Sequence, residues 1–316
     1  MKTVFLDYDT VSAGDLDSGA LRKAADDLTL YDMDEAKSAD RIRDADVVAL
    51  NGSRLSRDLL FGAPRLKLVA LAATGTDNVD LVAARERGIA VCNVRAYCTA
   101  SVVQQVWGLI LSLTQHADDY SRFTRGGSWT RDDLATILPL PIRELQGRVF
   151  GVVGWGDLGR GAARVAEAFG MHVRIANRSG GPPQRDRIEL ARLLAIADIL
   201  SLHCPLNDST RGLIGARELA LMKPDALLIN TARGALVDGH ALTAALKAGR
   251  LGGAGIDVLP QEPPVNGDPL LDPDIPNLLV TPHIAWAARE ARQRCIDETA
   301  ANIQDFRSGG RRGRVV

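Results

Sequence analysis

Arg148-Val149-Phe150-Gly151-Val152-Val153 is an apolar, β-rich run that passes without a spacer into Gly154-Trp155-Gly156-Asp157-Leu158-Gly159. A helical pattern, with apolar residues at Leu158, Ala162, Val165, Ala166 and Phe169, follows at once. Glycine spacing alone marks only a turn; strand, glycine turn and helix in immediate succession form the pattern of a dinucleotide-binding βαβ unit. Gly154 permits the tight turn, Gly156 lets the backbone approach a pyrophosphate, and Gly159 allows close packing of helix on sheet. The helix N-terminus, at Asp157 and Leu158, then offers free N–H groups to the anion.

Outward from this turn, apolar runs at His172–Ala176, Ile199–His203, Ala226–Asn230, Gly253–Val258 and Asn277–Thr281 alternate with loops or helical segments. Before it, Thr3–Leu6, Asp46–Leu50, Lys67–Leu71 and Ala90–Asn93 read as strands, separated by helical patterns such as Gly19–Leu28 and Val79–Arg87. Such alternation predicts parallel strands with crossover helices, twice over. Ser101–Gln115 reads as a buried helix and Asp118–Leu138 as an irregular excursion. A boundary is placed near residue 98. The charged helical segment Ala285–Arg307, with no strand of its own, is expected to fold back on the first domain. The domains are therefore 1–98 with 285–316, for substrate, and 99–284, for the dinucleotide.

The 316-residue chain is long enough for two cores, and its 38 basic and 39 acidic residues are spread evenly. That balance favours a small-molecule ligand over nucleic acid or a membrane surface. Cys92, Cys98, Cys204 and Cys295 lack CxxC spacing and the five histidines lack HxxxH or HExxH spacing, so no metal site is expected. The N-terminal MKTVFLDYD has too short an apolar run for a signal peptide, and no run of 18 apolar residues occurs. A cytoplasmic location is the expectation.

Three polar residues fall after strand ends of the second unit, where a doubly wound sheet places its ligands. They are Arg233, Asp257 and His283; Glu262 follows in the proline-rich loop Leu259–Pro264. Reducing a 2-oxo acid requires a cation for the carboxylate and ketone, and an acid for the oxygen as hydride arrives. The planar, permanently charged fork of Arg233 meets the first need. His283 meets the second, since imidazole titrates near neutrality and a carboxylate such as Glu262 stabilises its protonated form. Read one at a time, these are as readily a surface cation, a loop charge and a core histidine; their joint placement behind a dinucleotide turn favours the catalytic reading. His116, His172, His203 and His240 are read as structural.

Where an NAD site usually has an acid at the end of its second strand, this chain has Asn177-Arg178-Ser179. Asn177 removes the charge that would repel a 2′-phosphate, and Arg178 and Ser179 offer donors to it. NADP (as NADPH) is favoured, with NAD as the alternative; in the blander reading Arg178 faces solvent and Asn177 merely turns the chain.

Together with Ala73-Thr74-Gly75-Thr76-Asp77-Asn78-Val79-Asp80, His203-Cys204-Pro205-Leu206, Ile229–Gly234, Gly255–Val258, Glu262-Pro263 and Thr281–Ala285, these motifs span nearly the whole chain. In this order they resemble the D-isomer-specific 2-hydroxyacid dehydrogenases, most closely the glycerate dehydrogenase and glyoxylate/hydroxypyruvate reductase branch. The resemblance implies two α/β domains with doubly wound parallel sheets, a Rossmann dinucleotide-binding domain and a discontinuous flavodoxin-like substrate domain, with a cleft between them, in a homodimer. It also implies the Arg233, Glu262 and His283 catalytic set, and backbone donors to the substrate from Thr74 and Gly75. Thr99, Asp257, His283 and Ala285 would lie near the cofactor. His203, Cys204, Pro205 and Thr210, and then Thr231, Ala232 and Arg233, would line its groove.

Gln104-Gln105 stands where the family usually has a Glu-His pair, and Arg95 where proline is common; both bear on fine contacts and not on the chemistry. The lack of an extension after residue 316 weighs against the family's 3-phosphoglycerate dehydrogenases. The expected activity is reduction of glyoxylate, hydroxypyruvate or a similar small 2-oxo acid. The alternatives are a non-enzymatic, dinucleotide-sensing corepressor on the same scaffold, disfavoured by the absence of an added tail, and a formate or phosphite dehydrogenase. Glu262, where the formate enzyme has glutamine, disfavours formate. Trp286 is read either as a limit on substrate size or as a core or interface residue.

Overall fold

The computed structural model describes residues 1–131, 140–177, 184 and 186–316. They form two compact units, Met1–Cys98 with Trp286–Val316, and Thr99–Ala285.

The first unit carries five parallel strands, β1 (Lys2–Phe5), β2 (Asp27–Leu30), β3 (Val47–Leu50), β4 (Leu68–Leu71) and β5 (Ala90–Cys92), in the order β2-β1-β3-β4-β5. This is the flavodoxin-like order. Strands β3 and β4, Val-Val-Ala-Leu and Leu-Val-Ala-Leu, are buried throughout, because both faces of a parallel sheet are covered. Helices α1 (Gly19–Ala24), α2 (Ser38–Ile42), α3 (Arg57–Phe61) and α4 (Leu81–Glu86) connect them. Ser56 and Asp80 cap α3 and α4 by accepting N–H groups of the first turn. The helical reading of Gly19–Leu28 needs correction: the helix ends at Ala24, and Asp27–Leu30 is the edge strand β2. Its four residues, exposed Asp27 and three half-buried ones, are too few to show a strand period.

The second unit opens with α5 (Thr99–Gln115) and α6 (Ala117–Arg125), followed by six parallel strands. These are β6 (Val149–Val153), β7 (His172–Ile175), β8 (Ile199–Leu202), β9 (Leu227–Asn230), β10 (Gly253–Ile256) and β11 (Leu278–Val280), in the order β11-β10-β9-β8-β6-β7. An isolated parallel bridge joins Ala176 to Ile188 outside these strands. The sheet is doubly wound in the Rossmann manner, and the reversal between β6 and β8 lies at the glycine turn. Intervening helices are α7 (Asp157–Ala168), α8 (Leu190–Ile196), α9 (Ala216–Leu221) and α10 (Gly239–Lys247). One face of the sheet packs on leucines of α8 to α10. On α5, Trp107 stacks on Phe150 and Phe169, and Leu109 fills the space left by Gly255.

Part of Asp118–Leu138 also departs from its irregular reading. Residues 117–125 are helical, with Asp118 and Asp119 in the first turn, Arg122 and Arg125 in the last, and an Arg122–Asp119 ion pair one turn apart. That charge arrangement suits a helix dipole, but the helix buries no side chain, so no apolar stripe announced it. Residues 132–138 of the stretch lie outside the described residues.

Helix α11 (Arg289–Arg307) packs in the first unit against α1 and β4, burying Ala291, Cys295, Ile296, Ala300 and Ile303. Beyond it residues 313–316 run antiparallel along β5, where Val315 donates to Val91 (2.8 Å) and Asn93 to Gly313 (2.9 Å). A sheet edge that would otherwise expose unpaired backbone groups is thereby covered.

Candidate active site

The glycine turn has the geometry its spacing predicts. Gly154 sits at φ 102°, and a Cβ there would lie 2.5 Å from the backbone N of Cys204. Close approach of β6 to the end of β8 therefore requires glycine. A Cβ on Gly159 would fall 2.1 Å from the Gly154 carbonyl oxygen, whereas one on Gly156 would meet nothing within 4 Å. That open space lies at the N-terminus of α7, whose first turn, with Asp157 and Leu158, has no side-chain cap. Gly161 makes room for Val103 and the Thr99 methyl, so Thr99 rests against the first turns of α7.

His203, at the end of β8, pairs through Nε2 with Ser201 Oγ at 2.9 Å, while its buried Nδ1 has no partner among the described residues. Burial pulls its pKa down to about 4 and pushes the Cys204 thiol up to about 11, so both groups stay uncharged at neutral pH. Thr231 Oγ1 is likewise buried without a partner among the described residues. Thr210 braces its loop, donating to the Pro205 carbonyl oxygen (2.8 Å). Two orphan polar groups, an open glycine and an uncapped helix terminus fit a bound dinucleotide.

Arg178 and Ser179 lie outside the described residues. Asn177 donates through Nδ2 to Glu189 Oε1 (3.0 Å) and accepts from the Gln184 N–H (3.2 Å). The fold therefore sets a carboxylate beside Asn177 from twelve residues downstream, a contact the local sequence does not reveal.

After β9, buried Asn230 braces the next loop: its Oδ1 accepts the Ala232 N–H (3.0 Å) and its Nδ2 donates to the Arg233 carbonyl oxygen (2.9 Å). Arg233 donates through Nη1 to the Ala232 carbonyl oxygen (2.8 Å). A Cβ on Gly234 would fall 2.0 Å from the Leu259 carbonyl carbon, so the Arg233 loop lies directly on the loop leading to Glu262. Glu262 accepts the Leu259 N–H through Oε1 (2.7 Å) and His283 Nδ1 through Oε2 (2.6 Å).

Partial burial works to raise the Glu262 pKa. The His283 hydrogen bond and charge, the Leu259 N–H and the charge of Arg233 outweigh it and hold the carboxyl below its usual range. More than a third of each partner is exposed, so the pair adds about 1 kcal/mol or less to folding. Its consequence is orientation: with Nδ1 held by Glu262, Nε2 is the nitrogen left to exchange a proton.

Asp257 is fully buried at the end of β10. Its carboxylate accepts the Thr281 hydroxyl and the N–H groups of Ile284 and Ala285. Arg233, Glu262, His283, Asp257 and the glycine turn thus belong to one sheet edge of the second unit. Thr74 and Gly75 belong to the first unit, where Thr74 donates to the Val94 carbonyl oxygen (2.8 Å) and accepts Asn93 Nδ2 at its own carbonyl oxygen (2.7 Å). Trp286 is half-buried against the core of that unit. Among the described residues no cluster of three or more His, Cys, Asp or Glu could hold a metal ion.

Asn230, Gln105 and Thr281 stood in the sequence only as members of motifs or as a departure from the family pattern, and Ser101 only as the start of a helix; none was read as a bracing residue. Asn230 left a trace, as an amide closing the otherwise apolar Leu-Leu-Ile-Asn strand.

Residues 107–285 match the family model described as the D-isomer specific 2-hydroxyacid dehydrogenase, NAD binding domain. A glycerate dehydrogenase of Methylorubrum extorquens is 39% identical over 98% of this chain and 96% of its own. A hydroxypyruvate reductase of Blautia hydrogenotrophica is 34% identical over 98% of both. A D-lactate dehydrogenase of Aquifex aeolicus, solved with NAD and lactic acid, superposes with a TM-score of 0.84 at 27% identity, covering 98% of this chain and 96% of its own.

Proposed function

We propose, from the premise that this chain belongs to the D-isomer-specific 2-hydroxyacid dehydrogenase family, that it reduces a small 2-oxo acid, glyoxylate or hydroxypyruvate, with NADPH. The observation that carries the chemistry is the 2.6 Å hydrogen bond between Glu262 and His283, on the sheet edge that also bears Arg233. Bound dinucleotide supplies the hydride to carbon two. Arg233 holds the substrate carboxylate and polarises the ketone. His283 delivers a proton from Nε2 to the ketone oxygen, and Glu262 keeps the imidazole oriented and stabilises its cation.

NADPH is preferred in this reading because position 177 carries no charge against a 2′-phosphate. Glu189, 3.0 Å from the Asn177 amide, opposes it and keeps the preference modest. The reading extends to a homodimer in the cytoplasm; among the described residues no helix is long and apolar enough to cross a membrane.

Initial rates of NADPH and NADH consumption, measured by absorbance with glyoxylate, hydroxypyruvate, pyruvate and bulkier 2-oxo acids, test the proposal. Fast turnover of the small acids with NADPH is expected. A preference for NADH would remove the cofactor assignment alone, and no turnover of any acid would remove the activity.

Glu262→Gln is expected to lower the reductive kcat about 10- to 100-fold. Against partial burial, the His283 hydrogen bond and charge, the Leu259 N–H and the charge of Arg233 hold the Glu262 carboxyl below its usual range, so it is ionised at neutral pH and accepts from Nδ1, which the glutamine amide cannot match. An unchanged kcat would show that Glu262 does not act on the acid.

A further inference from the structure

The segment from Thr281 to Ala285 turns through His283 in the left-handed region, at φ 54°. A side chain other than glycine stays there only where its surroundings over-determine it. On one side the anchor is Asp257: its carbonyl oxygen accepts the His283 N–H at 2.7 Å, and its buried carboxylate accepts Ile284 N–H (3.0 Å), Ala285 N–H (2.8 Å) and the Thr281 hydroxyl.

On the other side the anchor is α5. Gln105 Nε2 donates to Thr281 Oγ1 (3.2 Å), and Ser101 Oγ donates to the Ala285 carbonyl oxygen (2.5 Å). Spaced by four residues, Ser101 and Gln105 share one helix face and grip the two ends of the segment. Packing of Leu109 into the gap at Gly255 seats α5 against β10, the strand that leads into Asp257.

The Thr281 hydroxyl is the junction of the two anchors, since its proton goes to Asp257 while its oxygen accepts from Gln105. We infer that Thr281 is a positioning residue for the reaction: its hydroxyl, held between Asp257 and Gln105, locks the turn that presents the His283 imidazole to Glu262. The inference rests on His283 being the acid and base.

Thr281→Val keeps the volume and removes the hydroxyl. The reductive kcat is expected to fall about 10- to 100-fold, because small displacements of a catalytic group cost that much. Affinity for NADPH alone, read by fluorescence titration, should stay within about twofold, and Thr281→Ser should restore most of the rate.

An independent readout is the downfield proton resonance of the imidazole hydrogen-bonded to Glu262, assigned by its loss in Glu262→Gln. Thr281→Val should broaden it or move it upfield, and Thr281→Ser should keep it. This resonance reports imidazole placement whether or not any 2-oxo acid is turned over, so failure of the functional proposal and failure of this one are distinguishable.

Should Thr281→Val not fold, Gln105→Met removes the second anchor and should give a smaller loss of kcat with the same weakening of the resonance. The inference is overturned if valine, or methionine at 105, keeps both the rate and the resonance. It is equally overturned if serine is as impaired as valine, or if NADPH affinity falls in step with the rate.

Discussion

Replacement of His283 by alanine is expected to lower the reductive kcat by about 10²- to 10⁴-fold, the range that a positioned acid or base contributes. Protonation of the ketone oxygen must accompany hydride arrival, and among the described residues His283 is the titratable group held by a carboxylate beside Arg233. Its side chain is more than a third exposed, so truncation leaves no buried cavity and the protein should stay folded.

Direction of reaction gives the sharper check. On the proposed assignment, reduction draws its proton from the imidazolium and should fail on the alkaline side; oxidation returns the proton to neutral imidazole and should fail on the acid side. In the wild type the two limbs should report the same ionisation, and both should vanish in the alanine variant. Wild-type kcat in His283→Ala, with both limbs intact, would falsify the assignment.

Arg233→Ala should reduce kcat/KM by about 10²- to 10³-fold, with KM raised and kcat lowered together. Loss of a charged hydrogen-bonding partner costs several kcal/mol, and this guanidinium is asked both to bind the carboxylate and to stabilise charge growing on the ketone. Arg233→Lys should recover only part of the loss, since an ammonium keeps the charge and loses the planar fork. The backbone of the loop is held independently by Asn230 and by close contact at Gly234, so the alanine variant should retain its fold. Steady-state kinetics with glyoxylate, alongside fluorescence titration of NADPH, separates these effects. A change in KM with kcat untouched would leave Arg233 a binding residue only.

What the sequence determined is what local physics dictates. Parallel strands buried on both faces must read as short apolar runs, so most of both sheets was legible; the four-residue edge strand β2, which opens on exposed Asp27 and follows α1 closely, escaped. Gly154 and Gly159 were legible because a tight turn and close helix packing each forbid a side chain at a set spacing. The placement of Arg233, Glu262 and His283 after strands of the second sheet was legible because a doubly wound sheet delivers the residues after its strands to one edge.

The tertiary structure decided what depends on residues distant in the chain. Ser101 and Gln105 on α5 meet a turn some 180 residues later, and Asp257 closes its bonds on Thr281, Ile284 and Ala285. Glu189 returns a carboxylate to Asn177, and residues 313–316 cover the edge of β5. None of these contacts has a periodicity or a spacing of its own. Hydrogen bonds to a buried carboxylate or an unpaired strand edge are satisfied by whichever group the packed fold brings within reach.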